Sequence, residues 1–195
     1  MNEILTIAEH NLKRAREIIE ETGIIGIWEY VGASINLVGS VKTGLLMKNK
    51  DIDFHIYSDP FRIADSFTAV ARLAENRRIG HIEFNNLLDT DEKCLEWHAR
   101  YRDRGDNLWR IDMIHIMNES PYAGYFETVA DRILAVLTPE TKEAILSIKH
   151  DIPQDEKVMG IEIYQAVIRD GVRTYHEFKQ WQKNNHHEGI IDWMP

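Results

Sequence analysis

The chain has a single cysteine, Cys94, in 195 residues. One thiol excludes an internal disulfide and any zinc site built on several cysteines. No apolar run is long enough to span a bilayer, and the N-terminus lacks the apolar core of a signal peptide, so a cytoplasmic protein without membrane attachment is the expectation. Basic residues are scarce beside acidic ones: 23 Lys and Arg stand against 32 Asp and Glu, a formal charge of −9. That balance argues against an extended nucleic-acid surface, which needs clustered positive charge. No internal repeat or low-complexity tract interrupts the chain. A hydrophobic content of 44% is ordinary for a globular protein and sufficient for a core.

What is present is concentrated between Leu37 and Tyr57. An apolar strand, Ile35 to Val38, breaks at Gly39-Ser40, and ten residues later the chain re-enters a strand as Asp51-Ile52-Asp53-Phe54-His55-Ile56-Tyr57. Alternate residues of a strand share a face, so Asp51 and Asp53 point the same way. Two carboxylates that close repel one another unless a proton or cation lies between them. A hard divalent ion with oxygen ligands meets that need, and Mg²⁺ requires only one or two carboxylates beside substrate phosphates. Gly39 permits close approach of a phosphate to the backbone, Ser40 offers a hydroxyl donor, and Lys42 adds positive charge.

A second isolated acid appears downstream. The strand Leu108 to Met117 carries Asp112 among apolar residues, costly for a carboxylate without a partner. A salt bridge to Arg110, two residues away on the same face, is the plain structural reading; a site residue is the functional one.

The order apolar-Gly-Ser, about ten residues, then Asp-apolar-Asp-apolar resembles the signature of the DNA polymerase β-like nucleotidyltransferase superfamily. In layout the chain is most similar to its small-molecule, antibiotic-modifying members, of the aminoglycoside and lincosamide type. The resemblance implies an α+β fold, a mixed sheet flanked by helices and followed by a C-terminal helical bundle; the change of composition near Asn118 to Pro121 sets the expected boundary, with domains at 1–118 and 119–195. It implies a Mg²⁺-dependent enzyme moving a nucleoside monophosphate from an NTP, with ATP as the expected donor, to a small-molecule acceptor with release of pyrophosphate. Asp51, Asp53 and Asp112 would hold one or two Mg²⁺ ions, Asp112 would also serve catalysis, and Gly39, Ser40 and Lys42 would bind the nucleotide. Two rivals stand beside it: a non-catalytic, antitoxin-like member of the fold acting through a protein partner, and a metal-dependent phosphohydrolase.

The remaining chain supplies elements and a few further candidates. Periodicity predicts a helix over Asn2 to Glu21 and a short one over Ile25 to Val31. Pro60 suits the first position of a helix running to Asn76, burying Ile63, Phe67, Val70, Ala71 and Ala74. Strands follow over Ile79 to Leu87 and Cys94 to Tyr101, the second read as an outer strand with Cys94 on its polar side. Arg104-Gly105-Asp106-Asn107 reads as a hairpin turn. Helices then occupy Tyr122 to Leu137, Pro139 to His150 and Glu156 to Arg169, and a last one is opened by the capping box Thr174 to Glu177. His55, His115, His81 and Glu83 could meet substrate, though structural roles are commoner. Arginines 72, 77, 78, 100, 102 and 104 make the middle section locally basic, read as solvated surface. His186, His187 and Glu188 lack the further ligands a zinc site needs.

Overall fold

The computed structural model describes residues 3–185 and 193–195, so His186, His187 and Glu188 lie outside the described residues. Its centre is a five-stranded sheet of order β1-β2-β5-β4-β3. The strands are β1 (Ala33–Val38), β2 (Asp51–Ser58), β3 (Ile79–Asn86), β4 (Cys94–Arg102) and β5 (Leu108–Ile116). β2 and β5 run parallel; the other neighbours are antiparallel. The fold is α+β, a mixed sheet with helices, as its alternating strands predict.

One face of the sheet is dry. Ile52, Phe54 and Ile56 of β2, Ile111 and Met113 of β5, and Trp97, Ala99 and Tyr101 of β4 form a core with Leu12, Ala15 and Ile18 of α1 (Glu3–Thr22), Trp28 of α2 (Ile24–Tyr30) and Ala69, Val70 and Leu73 of α4 (Ile63–Ala74). The period of two in the strands meets the period of 3.6 in the helices, and each buries its apolar side. The other face carries the polar alternates, and these make the site.

A second core lies among α5 (Tyr125–Val136), α6 (Pro139–Asp151), α7 (Gly160–Ile168) and α8 (Tyr175–Asn184). Ala8 of α1 and Leu45 and Met47, just after the short helix α3 (Gly39–Thr43), belong to it as well. α1 therefore contributes to both cores and ties the helices to the sheet. The capping box at Thr174 is present: Glu177 N–H donates to Thr174 Oγ1 at 3.2 Å, and Thr174 N–H to Glu177 Oε2 at 3.1 Å. Among the described residues, no helix is long and apolar enough to cross a membrane.

Several local expectations are corrected. Pro60 precedes its helix instead of opening it; α4 begins at Ile63, with Arg62 at the cap. α4 buries Ser66, Ala69, Val70 and Leu73, whereas Ile63 and Phe67 are exposed. The helix is rolled because Ser66 Oγ accepts the buried Trp97 Nε1–H at 2.9 Å, which leaves Phe67 against the rings of Phe84 and Trp97 at the sheet margin. The segment after Gly39 is not an open loop: α3 forms at once, and Leu45, Leu46 and Met47 are buried. β4 is an inner strand between β5 and β3. α5 and α7 begin later than periodicity suggests, at Tyr125 and Gly160.

Candidate active site

The parallel register of β2 and β5 sets Asp53 directly opposite Asp112 and Asp51 directly opposite Arg110. The antiparallel register of β5 and β4 sets His98 opposite Asp112. Directly paired residues share a face, so Asp51, Asp53, Asp112, Arg110 and His98 all project from the polar side. Asp112 is buried and firmly held: Arg110 Nη2 lies 2.8 Å from its Oδ2, and His98 Nδ1 lies 2.7 Å from its Oδ1. The guanidinium also reaches Asp51, with Nε 3.7 Å from Oδ1. Both sequence readings of Asp112 therefore coexist: it shares the face of the other two acids, and it pairs with Arg110.

With Arg110 spanning Asp51 and Asp112, the three carboxylates do not draw fully together. Among the described residues, the only trio of His, Cys, Asp or Glu whose ligand atoms all lie within 4.8 Å of one another is Glu92, Cys94 and Glu96, at the start of β4 and just before it. There, burial and the two glutamates push the Cys94 thiol up to about 12, which suppresses the thiolate needed for ligation or attack. At the main site, burial first, then the charges of Asp112 and Asp51, push the Asp53 carboxyl up to about 7. Asp51 is likewise raised, by burial, against the pull of Arg110. Arg110 does not offset the burial of Asp51 and Asp53, and oxygen donors of this kind fit a hard divalent cation.

Gly39 and Ser40 lie beside the acids. Gly39 has φ +66° and sits directly on Asp53: a Cβ at this position would collide with Asp53 Oδ2 and fall 2.9 Å from its Cγ. Ser40 Oγ lies 3.1 Å from the Tyr164 hydroxyl and accepts a hydrogen bond from Lys149 Nζ at 3.0 Å. The same ammonium donates to Tyr164 Oη at 2.8 Å and to the Leu45 carbonyl at 2.9 Å. Lys149 on α6 is thus the cation beside Ser40. Lys42 is not: it pairs with Asp131 of α5 at 3.1 Å and is not among the residues lining the cleft. Its helical position turns it away from Ser40, the correction that structure makes to sequence proximity.

These groups open into one cleft of about 1240 Å³ between the sheet and the helical half, lined by Gly39, Ser40, Asp51, Asp53, Arg110 and Lys149. Asp112 lies behind Arg110, outside the lining. His55 lines the cleft and faces Glu127 at 3.4 Å, while His115 is buried on the opposite face, 2.9 Å from Ser58 Oγ. Burial pushes the His115 imidazole down to about 4, so it stays neutral in the core. His81 and Glu83 pair with each other at 2.9 Å on the exposed end of β3. Arg104-Gly105-Asp106 is a plain turn, its Gly105 and Asn107 amides donating to Asp103 Oδ1 at 2.9 Å.

Residues 12–102 match the family model described as the nucleotidyltransferase domain. This stretch contains Gly39, Ser40, Asp51 and Asp53. Over this stretch, just under half of the chain, the protein is similar to a nucleotidyltransferase domain. Solved structures agree in fold. A cytoplasmic RNA terminal U-transferase aligns at 14% identity and TM-score 0.55 over 85% of this chain and 51% of its own. The Cid1 poly(U) polymerase with MgGTP bound aligns at 13% identity and TM-score 0.58 over 81% and 49%. The GLD-2/RNP-8 complex gives 10% identity and TM-score 0.59 over 94% and 68%. The chain spans about half the length of the first two. No curated protein matches it by sequence. The nucleotidyltransferase domain model ends before Asp112, Lys149 and Tyr164, so these are placed by the fold alone.

Ser40→Ala should weaken NTP binding at least about 2- to 13-fold, the roughly 0.5–1.5 kcal/mol of one ordinary hydrogen bond, and more because the phosphate partner is charged. Calorimetric titration with Mg²⁺-ATP measures it; unchanged affinity would move the phosphate site elsewhere.

Proposed function

We propose that this chain is an enzyme that transfers a nucleoside monophosphate from an NTP to a hydroxyl of a small acceptor, releasing pyrophosphate. The observation that carries the reading is the register that faces Asp53 with Asp112, with Gly39 seated on Asp53 and Ser40 beside it. Asp51 and Asp53 would hold the divalent cation, with Asp112 completing the set. When bound, one or two such ions offset the charge of the triphosphate and of the transition state. Ser40 and Lys149 donate to the outer phosphates, replacing their present mutual bond. Asp112, oriented by His98, accepts the proton of the attacking hydroxyl. Arg110 exchanges its hold on the acids for the incoming phosphates. The cleft exceeds the usual volume of a single small-ligand pocket, roughly 300–1,000 Å³, and suits a nucleotide plus a small acceptor.

The donor base is open to test, because fold neighbours include a U-transferase and a poly(U) polymerase. The experiment compares the four NTPs with Mg²⁺ across an acceptor panel, reading pyrophosphate, orthophosphate and adduct mass. Pyrophosphate with a nucleotidylated product is expected. Orthophosphate alone would indicate a phosphohydrolase. Absence of any Mg²⁺-NTP thermal stabilisation would favour a non-catalytic, partner-binding role.

A further inference from the structure

Five of the thirteen arginines line a single cavity of about 630 Å³. Arg77, Arg78, Arg100, Arg102 and Arg104 surround it where β3 begins and β4 ends. Two acids, Asp103 and Asp106, share the lining. Asp103 is consumed by the turn and by Trp109 and Arg14, and Asp106 pairs with Arg102 at 3.1 Å. Glu83 lies 3.9 Å from Arg100 but is held closer by His81, and Glu21 lies 3.7 Å from Arg104 but is held closer by Arg14. Arg77 makes no ion pair among the described residues. On a chain of charge −9, this is a local excess of positive charge without a matching set of acids.

The cavity adjoins the cleft. Arg100 is the cross-strand partner of Arg110, and His81 is the partner of Arg100. A row of basic side chains therefore runs over one sheet face from Asp51 through Arg110 and Arg100 to the cavity, and Leu108 lines both spaces. Guanidinium groups recognise phosphate through paired N–H donors.

We propose that the arginine cavity binds a phosphate group carried by the acceptor. The word acceptor rests on the nucleotidyl-transfer reading above; the anion site itself does not. Asp51 and Arg100 are two strand spacings apart, roughly 10 Å, so the phosphate sits at a distance from the attacking hydroxyl. A sugar phosphate and a short single strand share this chemistry. A polycationic acceptor of the aminoglycoside type meets repulsion at this wall.

The test is calorimetric titration without NTP, using ribose 5-phosphate and a ten-nucleotide oligouridylate as probes, on wild type and on Arg77→Gln/Arg102→Gln. At least one probe should bind wild type, and the double variant should bind it tenfold or more weakly. For the oligonucleotide, the slope of log K against log salt should fall by about 1.4, near 0.7 per lost contact. Binding of ribose 5-phosphate alone assigns a small phosphorylated acceptor, and binding of the oligonucleotide alone assigns a strand backbone. No binding of either, or equal binding by the variant, overturns the proposal. Arg77→Gln alone, which breaks no ion pair among the described residues, repeats the test if the double variant folds poorly, with a loss of about threefold expected. Stabilisation of wild type by any of the four Mg²⁺-NTPs is scored separately. Its absence defeats the nucleotidyl-transfer reading and leaves the anion result standing; its presence with unaltered probe binding defeats the cavity alone.

Discussion

Asp53→Asn should lower turnover by ~10³-fold or more while leaving the metal-free protein as stable as wild type, or more so. The loss follows from the several kcal/mol of charge stabilisation that a well-held cation supplies, at about 1.4 kcal/mol per tenfold. The gain follows from the Asp53 environment. Burial and the neighbouring charges of Asp112 and Asp51 raise its carboxyl to about 7, against roughly 3.9 in an unfolded chain. The folded state thus holds the proton more tightly. Its contribution to stability is full below about pH 4, declines as pH rises, and is gone above about 7. Asparagine has no such dependence. The stability gap between variant and wild type should open in favour of the variant between about pH 4 and pH 7, then stay level. Denaturant melts at stepped pH without metal measure this, and a variant less stable at every pH would make Asp53 a structural acid. Mg²⁺-NTP, which stabilises by binding the folded state, should no longer raise the melting temperature. Asp112→Asn should differ. Its carboxylate is already satisfied by Arg110 and His98, so its neutralisation should destabilise the metal-free protein as well as impair turnover.

That contrast shows which parts of the site a linear reading can reach. Gly39, Ser40, Asp51 and Asp53 lie within one strand-turn-strand passage, where period two alone decides which side chains share a face. Asp112 stood out because a lone carboxylate in an apolar strand needs a reason. Lys149 and Tyr164 gave no comparable signal. They meet Ser40 across 109 and 124 positions of sequence, and only the packing of α6 and α7 against α3 brings them there. Lys42 misled for the converse reason: near Ser40 in sequence, it is turned by one helical step toward Asp131. His98 falls on the polar side of its strand by the period of two, but its contact with Asp112 depends on the register of β4 against β5. The arginines looked like solvated surface one at a time. They come from the α4–β3 turn, β4 and the β4–β5 turn, and their common cavity exists only after those segments are brought together.

Gly39→Ala should reduce turnover as severely as Asp53→Asn, yet shift metal-free stability in the opposite direction. Two independent costs act at this position. Gly39 has φ +66°, and holding an L-residue in left-handed conformation costs about 1–2 kcal/mol. The added Cβ would also overlap Asp53 Oδ2 and lie 2.9 Å from Cγ and 3.2 Å from Cβ. Cβ is anchored to the strand and Cγ moves only with a change of χ1, so overpacking adds roughly 1–3 kcal/mol. Relief requires Asp53 to leave its rotamer, which moves its carboxylate away from Asp112 and thus from the proposed cation site. The two costs separate in a double-mutant cycle. In an Asp53→Ala background the colliding Oδ2 and Cγ atoms are gone, so most of the overpacking should vanish while the conformational cost remains. Urea denaturation of the two single variants and the double variant, without metal, gives the coupling. An equal penalty for Gly39→Ala in both backgrounds would mean that glycine is required there by backbone conformation alone, and that its contact with Asp53 does not set the position of the carboxylate.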